Sequence, residues 1–206
     1  MASVYDLKPR IQALLRPTVD RLAERGVTPN QLNYAALGLS ALVGALISAL
    51  PALAPGNNRL LLLLPAALLV RIALDAMDGM LAREPGVGTP RGAMLNELGV
   101  VLSDALLYLP LALYPGVMAW LVVTLVVLGI CAEVAGLAAL GIGASRRDEG
   151  PMGKNDRAIV FGLIGLILAL DPKAAAWLPW LLVPAVVMAG VTIVNRVQAA
   201  LREVAR

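Results

Sequence analysis

Apolar residues follow one another in long stretches, and short segments rich in glycine, proline and charged residues separate the stretches. At about 1.5 Å of rise per residue, a helix of about twenty residues crosses the roughly 30 Å apolar core of a bilayer. The pattern predicts six such helices, at residues 31–54, 60–82, 93–115, 117–143, 157–171 and 175–197. We therefore expect an all-α integral membrane protein whose 206 residues form a single domain.

The first 26 residues mix apolar and basic positions instead of forming a continuous apolar run. Their apolar side chains fall on one face of a helix, at Ile11, Leu14, Leu15, Val19 and Leu22. Arginines between them are available to lipid headgroups. The pattern predicts an interfacial amphipathic helix over residues 1–26, ahead of a six-span bundle over residues 27–206. The alternative, a cytosolic helix packed on the bundle, stays open.

Composition and charge support a membrane location and indicate an orientation. Hydrophobic residues make up 59% of the chain and the mean hydropathy is +0.80, whereas a soluble domain is about half apolar. Lysine and arginine collect in the N-terminal segment, in the loops after spans two and four and in the C-terminal tail, while the other side has Arg59 and Lys173. The positive-inside rule then puts both termini and the basic loops in the cytoplasm. We therefore expect a multi-pass protein of a cytoplasmic membrane.

The candidate reactive groups are carboxylates inside two neighbouring spans, because the sequence has no histidine and a single cysteine. Asp75 and Asp78 lie three residues apart, on one helix face. Asn96, Val100 and Asp104 follow at intervals of four in the next span. Oxygen ligands on two facing helices suit a hard divalent cation such as Mg²⁺, Mn²⁺ or Ca²⁺. Carboxylates at this depth require compensation by a metal or an arginine.

Depth along these two helices can be counted from the turn that joins them, residues 84–91. Arg71 and Asp104 each lie about twelve residues from the turn, roughly 18 Å deep. Equal depth predicts a buried ion pair between them. Glu133, in the fourth span, is a second candidate partner for Arg71.

The acidic pair belongs to a longer pattern with fixed spacing. Asp75-x2-Asp78-Gly79-x2-Ala82-Arg83-x8-Gly92-x3-Asn96 resembles the signature of the CDP-alcohol phosphotransferases, D-x2-D-G-x2-A-R-x8-G-x3-D-x3-D. The segments VTPNQLN (27–33) and PMGKNDR (151–157) also resemble stretches of that family. The sequence is similar to a bacterial branch that has LNE at the third acidic position, and the resemblance extends over the whole chain.

The resemblance implies metal-dependent transfer of a phosphatidyl-type group from a CDP-alcohol, such as CDP-diacylglycerol, to an alcohol acceptor. CMP is released, and the reaction belongs to phospholipid synthesis. Magnesium or manganese, with calcium possible in vitro, would be held by Asp75, Asp78 and Asn96. The implied CDP contacts are Thr28, Pro29, Asn30, Asp75, Gly79, Ala82, Arg83, Thr89 and Gly92. A homodimer embedded in membrane lipid is implied, and we expect no nucleic-acid partner.

Four cations are candidates for the acceptor site: Arg146, Arg147, Lys154 and Arg157. Arginine would contact an acceptor phosphate through two N–H groups and lysine as a point charge. Contact of the same basic loop with anionic lipid is an equally good interpretation. The identity of the acceptor alcohol therefore stays open.

Two positions differ from the family signature, because the third acid is Asn96 and the fourth is Val100. The resemblance implies that the fourth acid deprotonates the acceptor, which valine cannot do. Asp104, one turn deeper, and Glu97, about 100° round the helix from Asn96, are candidate replacements. The alternative is a catalytically impaired homologue that binds metal and CDP-alcohol. A remote alternative is a small membrane transporter, for which broken helices would be expected.

Overall fold

A computed structural model describes residues 4–54, 56–84 and 87–205, with side chains from residue 12 onward. Helices connected by short turns make up these residues, and no strand occurs among them. The α-helices are α1 (Val4–Glu24), α2 (Pro29–Leu53), α3 (Leu63–Leu81), α4 (Pro90–Tyr108), α5 (Ala119–Gly141), α6 (Lys154–Leu170) and α7 (Leu178–Val204). Segments of 3₁₀ helix at Asn58–Leu62, Leu109–Leu113 and Pro172–Trp177 adjoin α3, α4 and α7. The all-α prediction is confirmed for this part of the chain.

Five helical segments of the described residues are long and apolar enough, by length and composition, to cross a membrane. They are Pro29–Leu53, Asn58–Leu81, Pro90–Leu113, Ala119–Gly141 and Pro172–Val204. Helix α6, predicted as the fifth and shortest span, has 17 residues and is not among these five. The count of six spans therefore stays a prediction. Large apolar side chains such as Leu69 and Trp180 point outward, as expected of a multi-pass membrane protein with a lipid-facing exterior.

Helix α1 begins the described chain and packs on the end of α3. Leu15, Val19 and Leu22 from its predicted apolar face join a small core with Met80 and Leu81. Leu14, from the same predicted face, is 78% exposed. The side chain of Ile11 lies outside the described residues. Part of the apolar face is thus used for packing, and the interfacial location of this helix stays a prediction.

The start of each helix that borders the acidic pair is fixed by a threonine cap. Thr28 Oγ1 accepts a hydrogen bond from the Gln31 backbone N–H, and Gln31 Oε1 accepts one from the Thr28 N–H. Thr89 Oγ1 accepts a hydrogen bond from the Gly92 N–H at 3.0 Å. Proline follows each threonine at the first helical position, where a missing N–H costs nothing. Local sequence therefore sets where α2 and α4 begin.

Side-chain contacts bring the basic loops to one end of the bundle. Arg16 of α1 contacts Glu84 after α3 at 3.0 Å, and Arg146 contacts Glu97 of α4 at 2.8 Å. Ser145 in the loop between α5 and α6 donates to Glu203 near the end of α7. The three 3₁₀ segments lie at the other end. Orientation of the basic end toward the cytoplasm stays a prediction.

Helix α2 organises the two helices that contain the acidic motif. It packs along both α3 and α4, whereas α3 and α4 are not closely packed on each other. The hairpin expected from the sequence is therefore opened, with α2 alongside both of its arms. Gly44 is essential to this packing, because a Cβ there would collide with the backbone carbonyl of Leu106 on α4.

We expect Gly44→Ala to destabilise the fold by about 1–3 kcal/mol, because neither backbone can move aside without separating α2 from α4. Gly38→Ala is the matched control on the same helix, since a Cβ there meets nothing within 4 Å. It should be neutral or stabilise by roughly 0.5–1 kcal/mol. Thermal unfolding of both variants in detergent measures the difference. Equal melting temperatures would contradict the close α2–α4 contact.

Candidate active site

Asp75 and Asp78 lie in the last turns of α3, at the basic end of the bundle. Asp78 is 4% exposed, and no lysine or arginine of the described residues lies within 4 Å of its carboxylate. The Asp75 carboxylate is less buried, and Lys154 Nζ lies 3.6 Å from its Oδ2. One ammonium group therefore faces two carboxylates. A buried carboxylate without a cation favours binding of a metal ion.

Amide groups from the neighbouring helices add neutral oxygen ligands. The Asn33 amide of α2 lies beside Asp78, its Nδ2 donates to the Pro29 carbonyl oxygen at 3.4 Å, and its Oδ1 lies 4.0 Å from the place of a Cβ on Gly99 of α4. Asn96 of α4 is half-buried and makes no side-chain hydrogen bond within the described part of the chain. Two carboxylates with amide oxygens are a ligand set that suits Mg²⁺ or Mn²⁺.

The described carboxylates do not form a metal-binding cluster by themselves. Among the described residues, no group of three or more histidine, cysteine, aspartate or glutamate side chains is placed to hold a metal ion. In the family signature that the motif resembles, the two positions are aspartates, whereas this chain has Asn96 and Val100. Val100 is buried, and its carbonyl oxygen accepts a hydrogen bond from Arg71 Nη2 at 3.4 Å.

The residues expected to contact CDP lie near the starts of α2 and α4 and the end of α3. Thr28 and Thr89 are helix caps, and Pro29 is buried at the start of α2. Asn30 Oδ1 lies 2.8 Å from the place of a Cβ on Gly92, so a larger residue than glycine would collide there. A Cβ on Gly79 would meet nothing within 4 Å, which leaves open space beside the acidic pair.

Arg83 lies farther out, beside α1. It lines a cavity of about 400 Å³ together with Gln12, Ala13, Arg16, Met80 and Glu84. Ala82, the residue before it, is exposed. Arg83 therefore borders the space between α1 and α3, with its charge accessible from the basic end.

Each of the four candidate acceptor cations is in contact with a carboxylate. Arg146 contacts Glu97, and Arg147 contacts Glu149 and Glu203. Lys154 faces Asp75, as described above. Arg157, expected to face an acceptor phosphate, is instead buried with its guanidinium against Asp104 and Glu133. Its two carboxylate partners account for this difference, because a buried guanidinium is stable only when paired.

A chain of buried ion pairs runs behind the acidic motif. Arg71 Nη1 lies 2.5 Å from Asp104 Oδ1, the contact that the depth count predicts. Asp104 Oδ2 accepts hydrogen bonds from Arg157 Nε and Nη2 at 3.1 and 2.9 Å. Arg157 Nη2 also lies 3.1 Å from Glu133 Oε1, and Glu133 Oε2 lies 3.4 Å from Arg196 Nη1.

Glu133 therefore contacts Arg157 and Arg196, and the expected contact with Arg71 is wrong for this structure. The reason is that α5, which contains Glu133, packs on α4 and α7 and not on α3. Both candidate replacements for the missing base are occupied as well. Asp104 is held by two arginines, and Glu97 accepts a hydrogen bond from Arg146 at 2.8 Å.

Comparison with known families identifies the motif. Residues 27–192 match the family described as CDP-alcohol phosphatidyltransferase. The chain belongs to this family. The match covers α2 to α6 and most of α7, and thus every helix that contributes to the acidic site and to the chain of ion pairs.

Two relatives show how far the similarity extends within the CDP-alcohol phosphatidyltransferases. The chain is 44% identical over 178 residues to the inner membrane protein YnbA of Escherichia coli, covering 86% of this chain and 85% of that protein. It is 31% identical over 153 residues to the archaetidylinositol phosphate synthase of Pyrococcus horikoshii, covering 69% of this chain and 75% of that protein.

Solved structures of a phosphatidylinositol phosphate synthase from Mycobacterium tuberculosis have the same fold. The one with CDP-DAG bound superposes with a TM-score of 0.68 at 20% identity, over 91% of this chain and 92% of that one. The one in complex with manganese and citrate gives a TM-score of 0.74 at 18% identity, over 90% and 88% of the two chains. At these identities the likeness shows a shared fold.

Two residues of the site were not assigned from the sequence. Asn33 lies in the VTPNQLN segment, four residues after Pro29. Residues at this spacing lie on the same face of a helix, so Asn33 could have been predicted to share the face of α2 that begins at Pro29. Arg196 lies at the end of an apolar stretch, and this position predicts an arginine that faces lipid headgroups. The structure buries it, and it donates to the carbonyl oxygens of Ala132, Asp148 and Glu149.

The chain of ion pairs predicts an unequal effect of removing its members. Arg71→Met leaves Asp104 with one arginine, whereas Asp104→Leu leaves both Arg71 and Arg157 short of a partner. Breaking a buried pair costs about 3–5 kcal/mol of unfolding free energy. We therefore expect Arg71→Met to lower the free energy of unfolding by about that much, and Asp104→Leu to lower it more. Denaturation in detergent gives both values.

Arg16→Met is the matched control, because Arg16 also contacts two carboxylates but is half exposed. The free energy of unfolding of Arg16→Met should fall by no more than about 1 kcal/mol. Combining Arg71→Met with Asp104→Leu should cost less than the sum of the two, since the pair is then removed as a unit. Strict additivity would refute the pairing.

Proposed function

We propose that the chain transfers a phosphatidyl-type group from a CDP-linked lipid alcohol to an alcohol acceptor in a metal-dependent reaction of phospholipid synthesis. Family membership supports the CDP-alcohol, and the observation that supports the metal is the buried Asp78 carboxylate without a cation. Asp75, Asp78 and Asn96 are the proposed ligands, with Asn33 as a further amide beside Asp78. Membership of this family leaves the transporter alternative without support.

The reaction forms one P–O bond and breaks another. The acceptor hydroxyl oxygen attacks the phosphorus that bears the lipid alcohol, and the bond from that phosphorus to the CMP phosphate oxygen breaks. CMP leaves, a phosphodiester forms, and the hydroxyl proton passes to a base or to water. A divalent cation offsets the diphosphate charge and polarises the phosphoryl group when bound.

The chain's own residues position the donor. Open space beside Gly79 leaves room for the nucleotide next to α3, and the missing side chain of Gly92 lets Asn30 of α2 approach α4 closely. Arg83 and the N-terminal ends of α2 and α4, including Thr28, Pro29, Asn30 and Thr89, are the proposed contacts for the nucleotide, since helix starts favour anions. Lys154 is the proposed cation for a phosphate oxygen once a metal has taken its place at Asp75.

A second candidate function is supported by Val100. Its apolar side chain leaves the site without the carboxylate that the family signature has at this position, and Asp104 and Glu97 are both paired with arginine. A homologue that binds metal and CDP-alcohol but turns over slowly fits these observations. A measurable rate would then depend on an acceptor whose proton can pass to water.

The proposed setting is a bacterial inner membrane, with both termini and the basic end facing the cytoplasm. Water-soluble CMP would then be released on that side. The homodimer implied by the resemblance also stays a proposal. Crosslinking in native membranes tests it independently of activity.

The direct test is release of CMP from CDP-diacylglycerol by the purified chain, across a panel of alcohols, with Mg²⁺, with Mn²⁺ or with chelator. Asp75→Asn and Asp78→Asn should each abolish metal-dependent release, and manganese binding followed by EPR should weaken in parallel. Asp78→Asn should melt in chelator no earlier than the unmodified chain, because it removes a buried charge that has no cation. Asp20→Asn, an exposed aspartate of α1, is the control and should behave as the unmodified chain does. Unchanged manganese binding in both site variants would exclude the proposed ligands.

Position 100 gives a second test. Val100→Asp adds a carboxylate ligand and a base, and general-base catalysis is worth about 10² to 10⁴ in rate. We expect faster CMP release and tighter manganese binding in this variant. Val100→Asn is the control, because it adds an oxygen ligand without a base and should improve binding more than rate. A lower rate in a folded Val100→Asp variant would mean that the proton already has another acceptor.

A further inference from the structure

Three arginines from different parts of the chain converge on the carboxylate of Glu133. Arg157 Nη2 lies 3.1 Å from Oε1, and Arg196 Nη1 and Arg146 Nη2 lie 3.4 and 3.7 Å from Oε2. Guanidinium groups bind carboxylate and phosphate with the same fork of N–H donors. The cluster therefore has the composition of a phosphate site, and the anion inside it belongs to the chain.

The cluster borders the proposed reaction site. Lys154 and Arg157 lie one helical turn apart on α6, and Lys154 Nζ is 3.6 Å from Asp75 while Arg157 reaches Glu133. An acceptor that approaches the acidic motif along the start of α6 would bring any phosphate group it has to these cations. We propose that Glu133 holds this position with its own carboxylate, so that the acceptor is an alcohol without a phosphate group. The inference rests on the transfer reaction proposed above.

Burial makes the internal anion hard to displace. Glu133 is 5% exposed, and Arg157 and Arg196 are each 1% exposed. Arg157 is also held by Asp104, and Arg196 by the carbonyl oxygen of Ala132 at 2.6 Å. A phosphate group could enter only by separating buried ion pairs, and this is strongly unfavourable.

Charge balance favours the same conclusion. The cluster and its neighbours contain as many cations as carboxylates, so these ten groups sum to zero: Arg71, Arg146, Lys154, Arg157 and Arg196 against Asp75, Asp78, Glu97, Asp104 and Glu133. A divalent cation balances the roughly two negative charges of a diphosphate. An acceptor phosphate would add about two more, and none of the ten groups is left to neutralise them. An acceptor without phosphate keeps the balance.

Phosphate binding by the purified chain tests the internal anion without reference to turnover. The melting temperature is followed while inorganic phosphate replaces sodium chloride at constant ionic strength. Glu133→Ala removes the carboxylate and makes room, so its melting temperature should rise with phosphate by more than that of the unmodified chain, whose response reports the proposed nucleotide site alone. Glu97→Ala removes the other carboxylate on Arg146 but leaves Glu133 in place, and its melting temperature should respond as that of the unmodified chain does. If Glu133→Ala does not fold, Glu133→Gln is the alternative. It removes the negative charge that faces the arginines at nearly the same side-chain volume, so the rise in melting temperature with phosphate should be smaller.

Pairs of acceptors test the consequence for specificity. CMP release from CDP-diacylglycerol is compared for glycerol and glycerol 3-phosphate, inositol and inositol phosphate, and serine and phosphoserine. We expect release with one or more of the unphosphorylated alcohols and at least tenfold less with each phosphorylated partner. Glu133→Ala should narrow or reverse that ratio.

Distinct outcomes overturn the inference and the proposed function. Faster release with a phosphorylated acceptor would overturn the inference and leave the transfer reaction standing. A phosphate response of both Glu133 variants no larger than that of the unmodified chain would also overturn it. Absence of CMP release with every acceptor would count against the transfer reaction, and the phosphate titration would still decide the role of Glu133.

Discussion

The contact of Asp104 with both Arg71 and Arg157 is the interaction on which the arrangement of the helices depends. Its two carboxylate oxygens join α3 to α4 and α4 to α6, and Arg157 extends the connection to Glu133 on α5 and Arg196 on α7. In an apolar surrounding none of these charges can be solvated if its partner leaves. Since α3 and α4 pack on α2 and not closely on each other, a long arginine side chain across the gap fixes the spacing of the two helices that contain the acidic motif.

The charges thus form two neighbouring regions, one in which arginines and carboxylates are paired and one in which carboxylates are in excess. The interior behind the motif has arginines whose carboxylate partners are supplied by the chain, and it is complete without a ligand. The end of α3 has two carboxylates that face one ammonium group, and it is incomplete without a cation. This asymmetry fits the proposed site for a metal and an anionic nucleotide, because paired charges would hold the geometry and the uncompensated carboxylates would be available to a cation.

The sequence predicted the helical architecture and the Arg71–Asp104 pair, because they follow from helical period and from depth along a span. Arg71 and Asp104 could be matched because they lie on helices joined by one short turn. The partners of Arg157 and Arg196 could not, since they lie on helices whose neighbours are set by packing between distant parts of the chain. A basic residue near the end of a span has the same pattern whether it meets lipid, a ligand or a buried carboxylate. The positions of α5 and α7 decide which of these three partners the arginine meets. Those positions depend on packing between distant helices, which the hydrophobic period of one helix does not predict.

Position 100 connects the two regions. Its carbonyl oxygen accepts a hydrogen bond from Arg71, while its side chain lies one helical turn from both Asn96 and Asp104. A carboxylate at this position would stand beside a guanidinium that Asp104 already engages, and the two acids would compete for one arginine. With valine there, Asp104 is the carboxylate that Arg71 contacts in the described part of the chain. The same apolar side chain leaves the motif with one acid fewer than the family signature has, so position 100 affects both the ion pair and the chemistry proposed for the motif.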